Sequence, residues 1–110
     1  EKNKQDVIII GDMKLNLVFK HLELKEKSII LTKKEFEILS LLMQNPQKLF
    51  TREEILSKVW EDESYVLERT VDVHVARLRK KLDEYGAYIT NRSGYGYAFN
   101  DTIQIESNEN

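Results

Sequence analysis

No cysteine occurs among the 110 residues, and that absence removes disulfides, thiolate zinc sites and cysteine nucleophiles together. Long hydrophobic runs are missing as well. The longest are strand-sized, such as VIII at Val7–Ile10, far below the ~20 residues that cross a bilayer, and no signal-peptide pattern opens the chain. A soluble, cytoplasmic domain without a membrane partner is expected. Histidine is scarce: His21 and His74 lie in different segments, neither with a carboxylate at ligand spacing, so no metal site is expected. Gly94 and Gly96 imitate the start of a phosphate-cradling loop, but no helix follows them. The acidic EDES at Glu61–Ser64 lacks the glycine and spaced ligands of a calcium loop. Neither an enzyme nor a cofactor site is expected.

Net positive charge is also lacking. The formal total is −2, which by itself argues against a nucleic-acid binder. The distribution argues the other way. Arg69–Leu82 carries five Lys/Arg against one Asp, a local +4 that leaves −6 for the rest. A concentrated basic stripe on an acidic body can orient a small domain on a polyanion.

The length fits one domain with its own core. Residues 1–6, EKNKQD, have the composition of a polar linker and there is no initial Met, so the C-terminal part of a longer protein is expected. Four β-type segments follow: Val7–Ile10, Met13–Phe19, His21–Lys25 and Ser28–Leu31. Asp12, Asn16 and the polar KEK break them at short intervals, the pattern of an antiparallel meander. Thr32 and Glu35 then stand at capping-box spacing before Phe36, Leu39, Leu42 and Met43, which recur at helical period. Pro46 places the end of that helix near Asn45. Thr51 and Glu54 repeat the box for a second helix that buries Ile55, Leu56 and Val59. EDESYVLE, Glu61–Glu68, has no period and reads as an exposed acidic loop. After a third helix, YITNRSGYGYAF is β-branched and aromatic on both sides of Ser93, Gly94 and Gly96, which marks a hairpin. Residues 101–110 form a polar tail, leaving 7–100 as the folded unit.

The third helix carries the functional signal. In RTVDVHVARLRKKL, Val71, Val75, Leu78 and Leu82 gather on one face, and Arg69, Val73, Ala76, Arg77 and Lys80 gather opposite. Charged helix faces usually do no more than meet solvent. Val73 and Ala76 sit apolar in the middle of this one, however, where they suit thymine methyls while arginine reaches guanine or phosphate in a major groove. Thr70 and His74 flank the same face as hydrogen-bonding groups. A preceding helix and a following hairpin complete a helix-turn-helix with a wing, and Arg52, at the start of the preceding helix, is placed to hold a phosphate or to remain a surface arginine beside Glu53 and Glu54.

LTKKEFEILSLL, FTREEILSKVW, ERTVDVHVARLRKKL and GYGYAF, in this order and spacing, resemble the C-terminal DNA-binding domain of OmpR/PhoB-type response regulators over roughly Ile8 to Phe99. The resemblance implies an α+β winged helix with an N-terminal four-stranded antiparallel sheet, three helices and a C-terminal hairpin wing. The resemblance also implies a recognition helix spanning about Thr70–Tyr85. It further implies sequence-specific binding to direct repeats in double-stranded promoter DNA, a fragment monomeric in solution that pairs on DNA, and a preceding receiver domain served by a histidine kinase. By position, Arg52, Trp60, Arg69, Thr70, His74, Arg79 and Tyr97 match phosphate-contacting or positioning sites of the family, and Val73, Ala76 and Arg77 match base-facing ones. Arg79 projects nearer the buried side than Arg77 or Lys80, so an intramolecular ion pair and a phosphate contact both stay open. Trp60 is expected in the core first, with at most its edge at DNA.

The wing departs from the family pattern, which places arginine directly before the first glycine. Here Ser93 stands there and Arg92 comes one residue earlier. Strand side chains alternate faces, so Arg92 either enters the minor groove through a changed register or points away from it, and Asn91 takes the family's threonine position. In the family this acidic loop is where several activators touch RNA polymerase, and Glu61, Tyr65, Val66, Leu67 and Glu68 are the residues expected there, exposed and turned from the duplex. The alternative is a merely solubilising connector. The competing function is a protein-interaction module with little DNA affinity.

Overall fold

The computed structural model describes residues 6–63 and 65–103. Most of the expected linker (1–5), the tail from 104 onward and Ser64 lie outside the described residues. Four short strands, β1 (Val7–Ile10), β2 (Met13–Asn16), β3 (His21–Leu24) and β4 (Lys27–Ile29), pair antiparallel in sequence order. The register aligns Ile8, Leu15, Leu22 and Ile29 in one row and Ile10, Met13 and Leu24 in another. Alternation therefore sends all seven to the core face. Lys14 and Glu23 pair on the outer face at 3.8 Å, an exposed contact that adds little.

The strands are shorter than their sequences suggest. β2 stops at Asn16 rather than Phe19, because the Asn16 Oδ1 accepts the backbone N–H groups of Val18 and Phe19 at 2.9 and 2.8 Å and turns the chain. Val18 and Phe19 stand exposed at the tip of that turn. β3 ends at Leu24 because Lys25 and Glu26 both adopt positive φ, +50° and +70°, the twist that joins strands across a two-residue turn. β4 ends at Ile29, and Ile30 is exposed.

Both capping boxes form. Helix α1 (Lys33–Met43) begins with the Glu35 N–H donating to Thr32 Oγ1 at 3.2 Å and the Thr32 N–H donating to Glu35 Oε1 at 2.9 Å. Helix α2 (Arg52–Val59) repeats this between Thr51 and Glu54. Helix α1 closes two residues before the expected Asn45, with Gln44 as its cap. Helix α3 (Glu68–Leu82) buries Val71, Val75, Leu78 and Leu82 against α1 and α2. It stops short of the expected Tyr85 because Asp83 takes φ +57°. The chain then tightens into a 3-10 segment, Asp83–Tyr88, that turns Tyr85 and Tyr88 inward. The Tyr85 hydroxyl donates to Asp12 Oδ2 at 2.7 Å, fastening this segment to the β1–β2 turn. No helix among the described residues is long and apolar enough to cross a membrane.

The wing is β5 (Ile89–Arg92) paired with β6 (Gly96–Phe99). Its tip is a tight turn in which the Tyr95 N–H donates to the Arg92 carbonyl at 2.8 Å. Gly94 has φ +82° there, the value a type II turn requires at its third position. Phe50 and Tyr97 exchange two backbone hydrogen bonds of 2.8 and 2.9 Å, so β6 is also tied to the residue before the cap of α2. A Cβ on Gly96 would lie 2.0 Å from the Phe50 carbonyl oxygen. That close approach excludes every other residue from the position.

Candidate nucleic-acid interface

The two faces of α3 are separated as the sequence predicts. Val71, Leu78 and Leu82 are fully buried and Val75 is 1% exposed, whereas Arg69, Ala76, Arg77 and Lys80 are exposed and Val73 keeps 44% of its surface. Val73 thus stands out of the core with Arg69, Arg77 and Lys80 exposed on the same helix. Its neighbours on the buried side fix the rotation of the helix, because turning it would lift four aliphatic side chains into water at about 1.5–3 kcal/mol each.

Thr70 and His74 are half-buried at the border of that face. His74 Nδ1 lies 2.9 Å from the Thr70 carbonyl oxygen. A carbonyl only accepts, so Nδ1 carries the proton and Nε2 is the remaining ring nitrogen for an outside partner. The imidazole meets the Trp60 ring edge-on, centroids 5.1 Å apart at 79°. Trp60 itself is 5% exposed at the C-cap of α2, in the core as expected. Lys34, which the sequence reading passed over, holds this corner together. Its ammonium donates to the Val59 carbonyl at 2.8 Å, stands over the Trp60 ring at 5.2 Å and pairs with Glu63 at 3.6 Å.

Arg52, Asp72 and Tyr97 form the most connected cluster beside the reading face. Arg52 Nε donates to Asp72 Oδ1 at 2.8 Å, and the Tyr97 hydroxyl donates to the same oxygen at 2.6 Å. Burial pushes the Asp72 carboxyl up, but the tyrosine hydroxyl and the guanidinium outweigh it and hold the group below the usual carboxylate range. Burial and the Asp72 carboxylate push the Tyr97 phenol up to about 12. Arg52 is therefore tied to α3 rather than to Glu53 or Glu54, and Tyr97, 5% exposed, is a pinned residue of the wing. Asp72 was absent from the sequence-derived site. Being the one acid inside the basic stretch was the signal that could have found it, since such a group calls for a cation.

Of the two readings open for Arg79, the intramolecular ion pair does not form among the described residues. Arg79 pairs with no carboxylate there, and its Nε donates to the Gly86 carbonyl at 3.3 Å while the side chain stays exposed. The ion pair at this end of the helix belongs to the partly exposed Lys81, whose ammonium meets Glu35 at 2.6 Å. Glu35 is 2% exposed. Burial raises its carboxyl, yet the Lys81 ammonium and the Thr32 N–H bring it net below its ordinary value.

In the wing, Arg92 lies opposite Gly96 and Asn91 opposite Tyr97. Pairing runs without slippage through both positions, so alternation puts Asn91 on the face of Ile89, Tyr97 and Phe99, and Arg92 on the other. The acidic loop departs from expectation at Val66, which is half-buried and packs on the core. Tyr65 is fully exposed, with φ +64°, and Leu67 is 58% exposed. Glu61 is exposed, and Glu68 is already the first residue of α3.

An antiparallel sheet, three helices of which the third is cationic outward, and a hairpin stitched to the start of the second define a winged helix-turn-helix domain. The model of the family described as "Transcriptional regulatory protein, C terminal" matches residues 26–99. The heme response regulator HssR of Staphylococcus saprophyticus is 37% identical over 103 residues, 92% of this chain and 46% of that protein. The response regulator DrrB of Thermotoga maritima, an OmpR/PhoB homologue, superposes with a TM-score of 0.81 at 38% identity, covering 88% of this chain and 45% of that one. The DNA-binding domain of the response regulator AdeR, solved in complex with an intercistronic region, gives 0.74 at 33% identity over 84% of this chain and 97% of that one. The chain belongs to this family of transcriptional regulatory C-terminal domains, as an effector domain of the OmpR/PhoB type. It spans about half the length of the curated relatives it matches.

Proposed function

We propose that this effector domain performs sequence-specific binding of double-stranded DNA by laying α3 in the major groove, with Val73, Ala76 and Arg77 at base edges. Arg69, Lys80, Arg79, Thr70 and His74 border the groove at phosphate height, and Arg52 reaches the backbone from the start of α2. The observation that carries this reading is the outward face of α3, where Val73 and Ala76 stand exposed between Arg69, Arg77 and Lys80. Aliphatic groups between cations match the thymine methyl and guanine edge pattern of a major groove. In the wing, Asn91 shares the face of Tyr97 and takes the minor-groove side, with Arg92 at the rim.

The folded unit is residues 7–100, preceded by a receiver domain that a histidine kinase phosphorylates. Two copies, monomeric alone, dock head-to-tail on direct repeats about one helical turn apart, so both recognition helices face the same side of the DNA. Glu61, Tyr65 and Leu67 touch RNA polymerase, an exposed aromatic within an acidic rim suiting such a contact. The setting is cytoplasmic. A chain that docks on proteins alone has no specific observation in its favour.

The test is selection of bound sites from a random duplex library, followed by titration across a salt series. Enrichment of a repeated motif, with affinity falling steeply as salt rises, supports the reading. An unenriched pool, or salt-independent binding, contradicts it.

A further inference from the structure

Asp72 poses a problem of sign. It is the sole acid between Arg69 and Leu82, and a carboxylate beside a phosphate-binding surface opposes binding. Its side chain keeps 38% exposure, so it does not serve to fill the core. What it does is join three elements through one oxygen: Arg52 of α2 and Tyr97 of β6 both donate to Oδ1 of this α3 residue. The bond from arginine uses Nε, the inner nitrogen. Neither terminal nitrogen of Arg52 has a hydrogen-bond partner among the described residues. Held this way, the planar guanidinium presents its outer edge, the two-pronged side that matches a phosphate. Tyr97 is meanwhile held from behind by its backbone pairing with Phe50, whose chain runs directly into Thr51 and Arg52.

We propose that Asp72 is a positioning residue of the DNA interface, one that gives up local charge balance to aim the outer edge of Arg52 at a backbone phosphate and to lock the wing against α3. The assignment rests on the DNA-binding reading above. It makes a counter-intuitive statement: removing a negative charge from a DNA-binding face weakens binding.

Measurement uses the whole chain on a duplex carrying the selected site and on a scrambled duplex, over a salt series, with thermal melts alongside. Asp72→Ala is expected to weaken both duplexes about tenfold and to lower the salt slope by about one unit, the signature of one lost phosphate contact. Arg52→Ala should do the same, and the double variant should fall no further than either single one, since both remove the same contact. Asp72→Asn keeps an acceptor oxygen in place and should lie between wild type and Asp72→Ala. It decides the matter if Asp72→Ala does not fold. Tighter binding of both duplexes by Asp72→Asn, as charge alone dictates, overturns the assignment. So do additive losses in the double variant, or a lowered melting temperature with an unchanged salt slope. Absence of any selected site for the unaltered chain overturns the DNA-binding reading itself, and shows in the wild-type arm before any variant is measured.

Discussion

The two faces of α3 share fifteen residues of backbone and obey different rules. On the inward face, Val71, Val75, Leu78 and Leu82 are interchangeable in kind: each is aliphatic, buried and valued for its volume. On the outward face, in the DNA-binding reading proposed above, identity matters residue by residue, because Arg77 and Val73 present different chemistry to solvent. Burial is concentrated on one side, and the proposed recognition falls on the other. Substitutions should therefore separate into two classes, those that change folding without changing preference and those that change preference without changing folding.

The strongest test of that separation is Leu78→Ala, motivated by its complete burial. It should cost about 2–5 kcal/mol of folding stability, read by denaturant titration, while the fraction still folded selects the same DNA motif. A changed motif would mean that the inward face also sets specificity. Next in size is Arg77→Ala, on the exposed row. A loss of about 1–3 kcal/mol on the preferred site, with relaxed choice at one base position and an unaltered melting temperature, is expected of a guanine-reading arginine. Equal losses on random DNA would make Arg77 a phosphate contact instead.

Two carboxylates are tied to α3 by hydrogen bonds, Asp72 on the helix itself and Glu35 of α1 through Lys81, and both are held below their ordinary values. The folded state then binds fewer protons than the unfolded one, so their contribution is complete above the unfolded carboxylate range near pH ~4. It is lost as pH falls through the depressed folded values. Glu35→Gln should flatten that acid limb in stability measured against pH, by a smaller amount than Leu78→Ala costs at neutrality, and an unchanged limb would show that the Lys81 pair contributes nothing. The smallest effect belongs to the acidic loop. Replacing Glu61 and Tyr65 together with Ala should leave DNA affinity within about threefold, ~0.7 kcal/mol, while lowering transcription in a reconstituted assay. Unchanged transcription would leave the loop a connector, and a large loss of affinity would place it at the duplex.

Periodicity made α3 legible: the four buried positions named from the helical wheel are the four that the fold buries. The capping boxes at Thr32 and Thr51 were equally local, one side chain answering one N–H three residues on, and both formed. Strand ends were less readable, because Asn16 and the left-handed pair Lys25–Glu26 stop strands through turn geometry that composition underdetermines. What escaped the sequence were partners made by tertiary contact. Arg79 and Lys81 are both cations near the end of α3, and only the packing of α1 decides that Glu35 meets the second. Asp72 is a surface acid on a wheel and becomes a junction only when Arg52 and Tyr97 arrive from either side. The placement of Val66 was missed for the same reason: an apolar residue between acids turns inward only where a core lies beneath it.

The hairpins of β1 to β4 close over turns of a few residues, whereas Phe50 and Tyr97 meet only after α2 and α3 have been laid down between them. Bringing distant segments together carries the larger loop-closure entropy, so the seam between the wing and the start of α2 is expected to close late in folding. Arg52, Asp72 and Tyr97 come into register only in that step. The same opening releases the amide hydrogens of Phe50 and Tyr97 to solvent, and their exchange rates should rise and fall together, reporting how long the assembled surface persists.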